Sequence, residues 1–312
     1  MLNERKKMAT PKFVFLDGKI LPYADAKVGV MTHGLNYGTG IFGGIRGYWN
    51  DKEKQMFIFR PLDHYKRFLE SGKLLRMELP YTKESLTQFT IDLIRKQGYK
   101  ETVYIRPLAF YGDELIGVRL HNLTPKMAIA IVPFGRYIDS PGAHVTISSW
   151  RRVDDNIIPA RGKVVGAYVN SALAKTDAQL AGFDEAIVLD QSGHVSEGSA
   201  ENIIMMRNGV FVTPPITENI LEGITRRTVL QLIQDELGMT VQERSIDRTE
   251  LYLADEIFFV GSGVQIVPIT KIDFRSIGSG VIGPNTKKIM DLYFEAVHGN
   301  LQKYRSWCVK VY

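Results

Sequence analysis

Apolar residues along this chain alternate between helical spacing and short β-rich runs. Leu62, Tyr65, Phe68, Leu69 and Leu75 recur at about three and four residues, predicting a helix over Pro61–Met77 with the proline at its start. Leu86, Phe89, Leu93 and Ile94 predict a second over Lys83–Gln97, capped by Thr82 and closed by Gly98. Phe13–Leu16 before Asp17-Gly18 reads as a hairpin, and Asn208-Gly209 between Ile203–Met206 and Val210–Thr213 as another. Further strands are expected at Thr102–Phe110, Met127–Pro133, His144–Trp150, Glu185–Asp190 and Glu256–Val260. Further helices are expected at Gly166–Ala181, Ile224–Leu237 and Thr286–Val297.

Between Phe134 and Gly142 the pattern dissolves into Gly, Pro and polar residues, as interdomain linkers do. The expected organisation is a domain over 1–134, a connecting loop over 135–142 and a second domain over 143–312. Strands and helices are mixed without a strict βαβ period, so the class is α+β rather than a doubly wound sheet.

Composition narrows the function classes. At 312 residues, 45% hydrophobic and 23% charged, the chain has material for sizeable globular cores. Met1–Thr10 is polar and basic with no apolar stretch behind it, so no signal peptide is expected, and no run suits a membrane helix. One cysteine, Cys308, excludes an internal disulfide and points to a reducing cytoplasm. With six His and one Cys, no metal-binding spacing is present. The net charge of +5 is scattered among acids rather than gathered on a face, which argues against nucleic acid.

Three familiar motifs fail on context. Gly38-Thr39-Gly40-Ile41-Phe42-Gly43 matches the dinucleotide fingerprint, but its flanks suit neither the strand before nor the helix after. Gly162-Lys163 lacks the upstream glycine and following hydroxyl of a phosphate-binding P-loop. Ser148-Ser149 has no nucleophile elbow around it.

A series of segments, in one order, resembles another group. They are Thr32-His33-Gly34-Leu35-Asn36-Tyr37-Gly38-Thr39, Phe59-Arg60, Tyr104-Ile105-Arg106-Pro107, Ile158-Pro159-Ala160-Arg161-Gly162-Lys163 and Gly166-Ala167-Tyr168. Ser196-Glu197-Gly198-Ser199-Ala200-Glu201-Asn202, Gly223-Ile224-Thr225-Arg226 and Leu251-Tyr252-Leu253-Ala254-Asp255-Glu256 follow. Together they resemble the fold-type IV pyridoxal-phosphate enzymes, most closely the branched-chain amino-acid aminotransferases, from about residue 12 to 298. The resemblance implies a two-domain D-amino-acid-aminotransferase-like fold: a small N-terminal α/β domain and a larger domain with a mixed sheet or barrel.

It also implies roles. Lys163 forms the Schiff base with pyridoxal phosphate and carries the proton, as a lysine of lowered pKa can. Glu197 faces the pyridine nitrogen, Tyr168 the phenolic oxygen, and Arg60 the phosphate, where a guanidinium fork suits a dianion. Gly223, Ile224 and Thr225 open a helix whose free N–H groups favour an anion, with Ser262 and Gly263 as a second backbone contact. Tyr37, Phe42, Tyr104 and Tyr137 line an aromatic substrate pocket, Arg106 pairs with carboxylate, and the loop at Gly117-Val118-Arg119 completes the site of a second subunit, so a homodimer or larger homo-oligomer is expected.

The expected activity is ping-pong transamination of Leu, Ile and Val with 2-oxoglutarate. Three features depart from the branched-chain pattern. Phe42-Gly43-Gly44-Ile45-Arg46 replaces the usual Phe-Glu-Gly-Ile-Arg, Arg136 stands where a small residue is common, and Arg119-Leu120-His121 loosely resembles the carboxylate trap of D-amino-acid aminotransferases. D-amino-acid or (R)-amine transamination, and aminodeoxychorismate lyase activity, are the alternatives on the same fold.

Overall fold

The computed structural model describes residues 9–135 and 142–312. The expected linker therefore falls largely outside the described residues, as do Arg136 and Tyr137. Two compact units divide the chain, one of residues 1–135 with 297–312 and one of residues 136–296.

The first unit contains β1 (Phe13–Leu16), β2 (Lys19–Pro22), α1 (His33–Tyr37), β3 (Gly40–Phe42), β4 (Ile45–Asn50) and β5 (Gln55–Phe59). It continues through α2 (Pro61–Leu74), α3 (Lys83–Gln97), β6 (Val103–Tyr111) and β7 (Pro125–Pro133). The second contains β8 (Ala143–Arg151), α4 (Tyr168–Leu180), β9 (Glu185–Leu189), β10 (Val195–Gly198), β11 (Asn202–Arg207), β12 (Val210–Thr213) and α5 (Ile224–Leu237). It ends with β13 (Val241–Glu243), β14 (Glu256–Gly261), β15 (Gln265–Ile272), β16 (Arg275–Ser276) and α6 (Pro284–Val297). A last strand, β17 (Cys308–Lys310), belongs to the first unit.

That last strand changes the expected domain division. Cys308, Val309 and Lys310 pair antiparallel with Phe59, Ile58 and Phe57, so the C-terminal tail completes the first sheet rather than the second domain. The order of the first sheet is β17-β5-β4-β6-β7-β1-β2, with β3 added on β6. Its pairings are antiparallel throughout. Helix α3 forms over the expected residues, whereas α2 ends at Leu74, three residues before the expected Met77, because Leu75 closes the last turn onto Gly72 O and Arg76 turns left-handed with a φ of 57°. Thr82 Oγ1 accepts from Ser85 N–H at 3.1 Å while Ser85 Oγ accepts from Thr82 N–H at 3.0 Å, and Gly98 ends α3 in the left-handed conformation. Such a cap is worth about 1 kcal/mol.

The second sheet runs β10-β9-β8-β15-β14-β11-β12-β13, with β16 on β15. It is mixed: β8 is parallel to both β9 and β15, and β12 to β13, while the other pairs are antiparallel. The Asn208-Gly209 turn joins β11 to β12 with φ of 50° and 77°, as a tight hairpin requires. Ile187, Val195, Ile203, Ile257, Phe259 and Ile269 meet in its core. Helix α6 starts two residues before the expected Thr286 because the buried Glu256 carboxylate accepts Asn285 N–H at 3.1 Å and Thr286 N–H at 2.7 Å. Among the described residues, no helix is long and apolar enough to cross a membrane.

Candidate active site

The chemistry-bearing residues of the second unit sit where irregular backbone meets regular elements. Lys163 lies in the loop between β8 and α4, and Tyr168 is the first residue of α4. Between them Val165–Ala167 forms a 3-10 turn, which brings Lys163 Nζ within 2.6 Å of Tyr168 Oη. The amine donates and the hydroxyl accepts, so Tyr168 fixes where the nitrogen points.

Glu197 lies on β10 and is buried. Its Oε1 is paired with Arg152 Nη2 at 2.9 Å. Its Oε2 accepts Asn202 Nδ2 at 3.0 Å and Leu221 N–H at 3.1 Å. A carboxylate with a guanidinium and two further donors keeps its negative charge despite burial. Arg152 and Asn202 were not singled out from the sequence. Their signal is weak there: one is an arginine at a strand end, the other an asparagine closing a motif already read for its glutamate.

The loop bearing Lys163 is tied to the segment preceding α5. Arg152 Nε donates to Asn219 O at 3.2 Å, Asp155 N–H to Asn219 Oδ1 at 3.3 Å, and Arg161 Nε lies 3.2 Å from Glu222 Oε1. Gly223 then caps α5, with Ile224 and Thr225 buried in its first turn. Gly223 has no side chain with which to cap this helix start, and first-turn N–H groups of this kind suit an anion. A Cβ on Gly223 would lie 2.0 Å from Asn202 Oδ1, so Gly is required for the close approach of helix start and Asn202. Asn202 also donates to Leu221 O at 2.9 Å, linking Glu197 to the α5 entrance. Ser262 and Gly263 are half-buried in the turn between β14 and β15.

In the first unit Arg60 caps α2 with a φ of 45°, its guanidinium 3.9 Å over the Trp307 ring and 3.1 Å from Asp63 Oδ2. Arg106, Tyr104 and Phe42 form a second group. The Arg106 guanidinium stands 4.7 Å from the Phe42 ring centre and 5.2 Å from that of Tyr104, and Nη2 donates to Tyr104 Oη at 3.1 Å. A Cβ at Gly44 would fall 2.2 Å from that hydroxyl. At Gly43 it would meet Pro107 Cγ at 2.5 Å, which leaves no room here for the acid the family pattern carries.

The Tyr37 hydroxyl accepts Gly117 N–H at 3.1 Å, and His33 Nε2 lies 2.9 Å from Gly117 O. Val118, next in the loop, is 89% exposed. Arg46, also missed from the sequence, is buried and donates to Phe134 O and Gly135 O at 3.1 and 3.0 Å, anchoring the end of β7.

An antiparallel sheet unit, a mixed-sheet unit, and a lysine, tyrosine and buried glutamate beside an uncapped helix start define a recognisable class. A family model described as class IV amino-transferase matches residues 40–272, and the chain belongs to that family. Its relatives are more particular. A probable branched-chain-amino-acid aminotransferase of Aquifex aeolicus is 49% identical over 301 residues, 96% of this chain and 97% of that protein. The branched-chain-amino-acid aminotransferase of Escherichia coli K12 is 37% identical over 311 residues, 97% of this chain and 99% of that protein. Among solved structures, the branched-chain aminotransferase of Thermoproteus uzoniensis with norvaline superimposes with a TM-score of 0.92 at 43% identity, covering 97% of this chain and 100% of that one. The branched-chain amino acid aminotransferase of Thermobaculum terrenum, solved in its pyridoxal-phosphate form, gives 0.93 at 38% identity, covering 97% and 99%.

Proposed function

We propose that this chain is a branched-chain amino-acid aminotransferase that uses pyridoxal phosphate held at Lys163 to exchange the amino group of leucine, isoleucine or valine with 2-oxoglutarate. The observation that carries it is the Lys163–Tyr168 contact of 2.6 Å in a unit that also holds Glu197 as a buried, charged carboxylate. The residues fit the cofactor. An amine and a phenol lie side by side, a carboxylate suits a ring N–H, and a glycine-opened helix start with Thr225 suits a phosphate. Arg60 and the Ser262-Gly263 turn are proposed as further phosphate ligands.

Bound pyridoxal phosphate supplies the aldehyde that receives an amino group and the electron-poor ring that stabilises negative charge at the substrate α-carbon. Lys163 Nζ takes up and returns the α-carbon proton, oriented by Tyr168 Oη. Glu197 holds a proton at the ring nitrogen, and Arg152 keeps Glu197 in place. Phe42 and Tyr104 offer apolar surface to an aliphatic side chain, while Arg106 and the Tyr104 hydroxyl satisfy the second carboxylate of glutamate. Tyr137 is proposed for the same pocket from its sequence position.

Support for the substrate class comes from the relatives. A similar branched-chain enzyme has been solved with 4-methylvaleric acid, an acid with a branched aliphatic skeleton, and the relatives named above are branched-chain enzymes. These relatives do not favour the D-amino-acid, (R)-amine and lyase alternatives. A homodimer is proposed on an apolar surface of the first unit. Val30 and Leu35 of the α1 region and Ile116 and Val118 of the facing loop are 79%, 63%, 82% and 89% exposed, and the two segments are joined through His33 and Gly117. A second copy would cover them. A cytoplasmic location is proposed from the single cysteine. Amino transfer from L-leucine to 2-oxoglutarate by the pyridoxal-phosphate-loaded protein, lost in Lys163→Ala, tests the reading; no turnover of leucine, isoleucine or valine sinks it.

A further inference from the structure

Three glutamates are buried around β9 and β10: Glu185 is 0% exposed, Glu197 and Glu201 each 3%. Lys175 on α4 pairs with Glu185, and Arg152 pairs with Glu197. Hydrogen bonds are just as unevenly shared. Glu197 accepts from Asn202 and Leu221, and Glu185 accepts Ala186 N–H at 2.8 Å as well as its lysine. Among the described residues, Glu201 has one donor, Ala200 N–H at 3.0 Å, and no cation of its own. Glu201 is thus the least compensated of the three, and a buried acid without a paired counter-ion is protonated instead.

We propose that Glu201 is a positioning residue that remains a neutral carboxylic acid at neutral pH, so that no second negative charge stands beside Glu197 and Glu197 keeps its charge toward the cofactor ring. The part played toward the ring rests on the proposed function; the proton on Glu201 does not. The two glutamates are close through the backbone as well. Gly198 N–H, directly after Glu197, donates to Glu201 O at 2.7 Å, and a Cβ on Gly198 would lie 2.8 Å from Glu201 Oε2. The charges facing Glu201 are Glu185 and Lys175, on β9 and α4, and Glu197 on β10. Burial first, then Glu185, push its carboxyl up to about 8, with Lys175 opposing.

A group with an unfolded value of 4.5 and a folded value of about 8 binds its proton more tightly in the fold. Its stabilising contribution is therefore complete below the unfolded value and is lost as pH rises through the folded one. Once ionised, Glu201 would set a second negative charge beside Glu197. The cofactor environment would then change in the same alkaline range.

Glu201→Gln keeps the shape and the acceptor for Ala200 but cannot ionise. The first measurement is the thermal midpoint of cofactor-free protein from about pH 5 to about pH 9. Wild type is expected to lose stability relative to Glu201→Gln as pH rises. A difference that stays flat, or that grows in favour of wild type, overturns the proposal. Should the variant fail to fold, infrared spectra of the wild-type protein decide: a protonated-carboxyl C=O band at pH 6 that fades above about pH 8 is expected, and its absence at pH 6 overturns the assignment. On pyridoxal-phosphate-loaded protein, an alkaline shift of the cofactor absorbance present in wild type should be missing in Glu201→Gln. Identical shifts in both would overturn the positioning role. Protein that binds no pyridoxal phosphate would sink the proposed function instead, and the cofactor-free pH profile would still decide the proton.

Discussion

Arg152 and Glu197 form a buried ion pair, Nη2 to Oε1 at 2.9 Å, with the arginine directly after β8 and the glutamate on β10. Arg152 also holds Asn219 O, so one guanidinium links the carboxylate on β10 to the segment leading into α5. Arg152→Met would leave Glu197 buried without its cation. A loss of about 3–5 kcal/mol is expected from breaking such a pair, read by urea unfolding of the cofactor-free protein, together with weaker pyridoxal-phosphate binding. Unchanged stability would mean that the pair is not buried in solution.

Tyr168→Phe removes the hydroxyl that orients Lys163 Nζ without emptying the space its ring fills. A hydrogen bond to a charged group is worth about 1.5–3 kcal/mol, so kcat should fall about 10- to 100-fold with the cofactor still bound. Steady-state kinetics with L-leucine read this directly. A fall confined to KM would place Tyr168 in substrate binding instead.

How far the sequence carried the fold depended on what each element faces. Helices α3 and α5 form over the expected residues because Thr82, Gly98 and Gly238 punctuate amphipathic runs. The hairpins at Asp17-Gly18 and Asn208-Gly209 were equally legible from local turn chemistry. Strands β4 and β5 were not resolved individually. Every residue of β5 is buried, so the alternation that marks a one-faced strand is absent. The pairing of β17 with β5 is a contact between distant segments that no local pattern encodes.

The site divides in the same way. The uncapped start of α5 could be read from Gly223-Ile224-Thr225 on physical grounds, whereas Lys163 stood out only through the family resemblance. Arg152 escaped because its partner Glu197 is remote in the chain, and Gly223 matters through Asn202, a contact that only the fold creates.

Gly223→Ala tests that contact. The added methyl would fall 2.0 Å from Asn202 Oδ1 and push apart the α5 entrance and the side chain that holds Glu197. Overpacking of this kind costs about 1–3 kcal/mol. Pyridoxal-phosphate affinity is expected to drop more than global stability, as measured by fluorescence titration beside thermal unfolding. Wild-type affinity would remove the helix start from the phosphate site.

Arg106→Met should separate the two half-reactions. Its guanidinium, stacked on Phe42 and bonded to Tyr104, has no partner to gain from an aliphatic side chain. KM for 2-oxoglutarate is expected to rise about tenfold or more, corresponding to about 1.5–3 kcal/mol for a charged hydrogen bond, while KM for L-leucine changes little. Equal effects on both would assign Arg106 to the α-carboxylate common to them.

Cys308 offers a check on the first unit. Burial pushes its thiol up to about 12, outweighing nearby arginine, so the thiolate that reacts with alkylating agents is scarce at neutral pH. Iodoacetamide at pH 8 should modify the native protein slowly and the urea-unfolded protein rapidly, as followed by mass spectrometry. Rapid labelling of native protein would show β17 detached from β5.

The most direct test of the central claim is the visible absorbance of the pyridoxal-phosphate-loaded protein during separate additions of L-leucine, D-alanine and (R)-1-phenylethylamine. The band of the lysine-held cofactor should bleach rapidly and selectively with L-leucine, and Lys163→Ala should show no such band. Bleaching by the D-amino acid or the (R)-amine in preference to L-leucine would contradict the branched-chain assignment. A band that survives in Lys163→Ala would contradict the role of Lys163 itself.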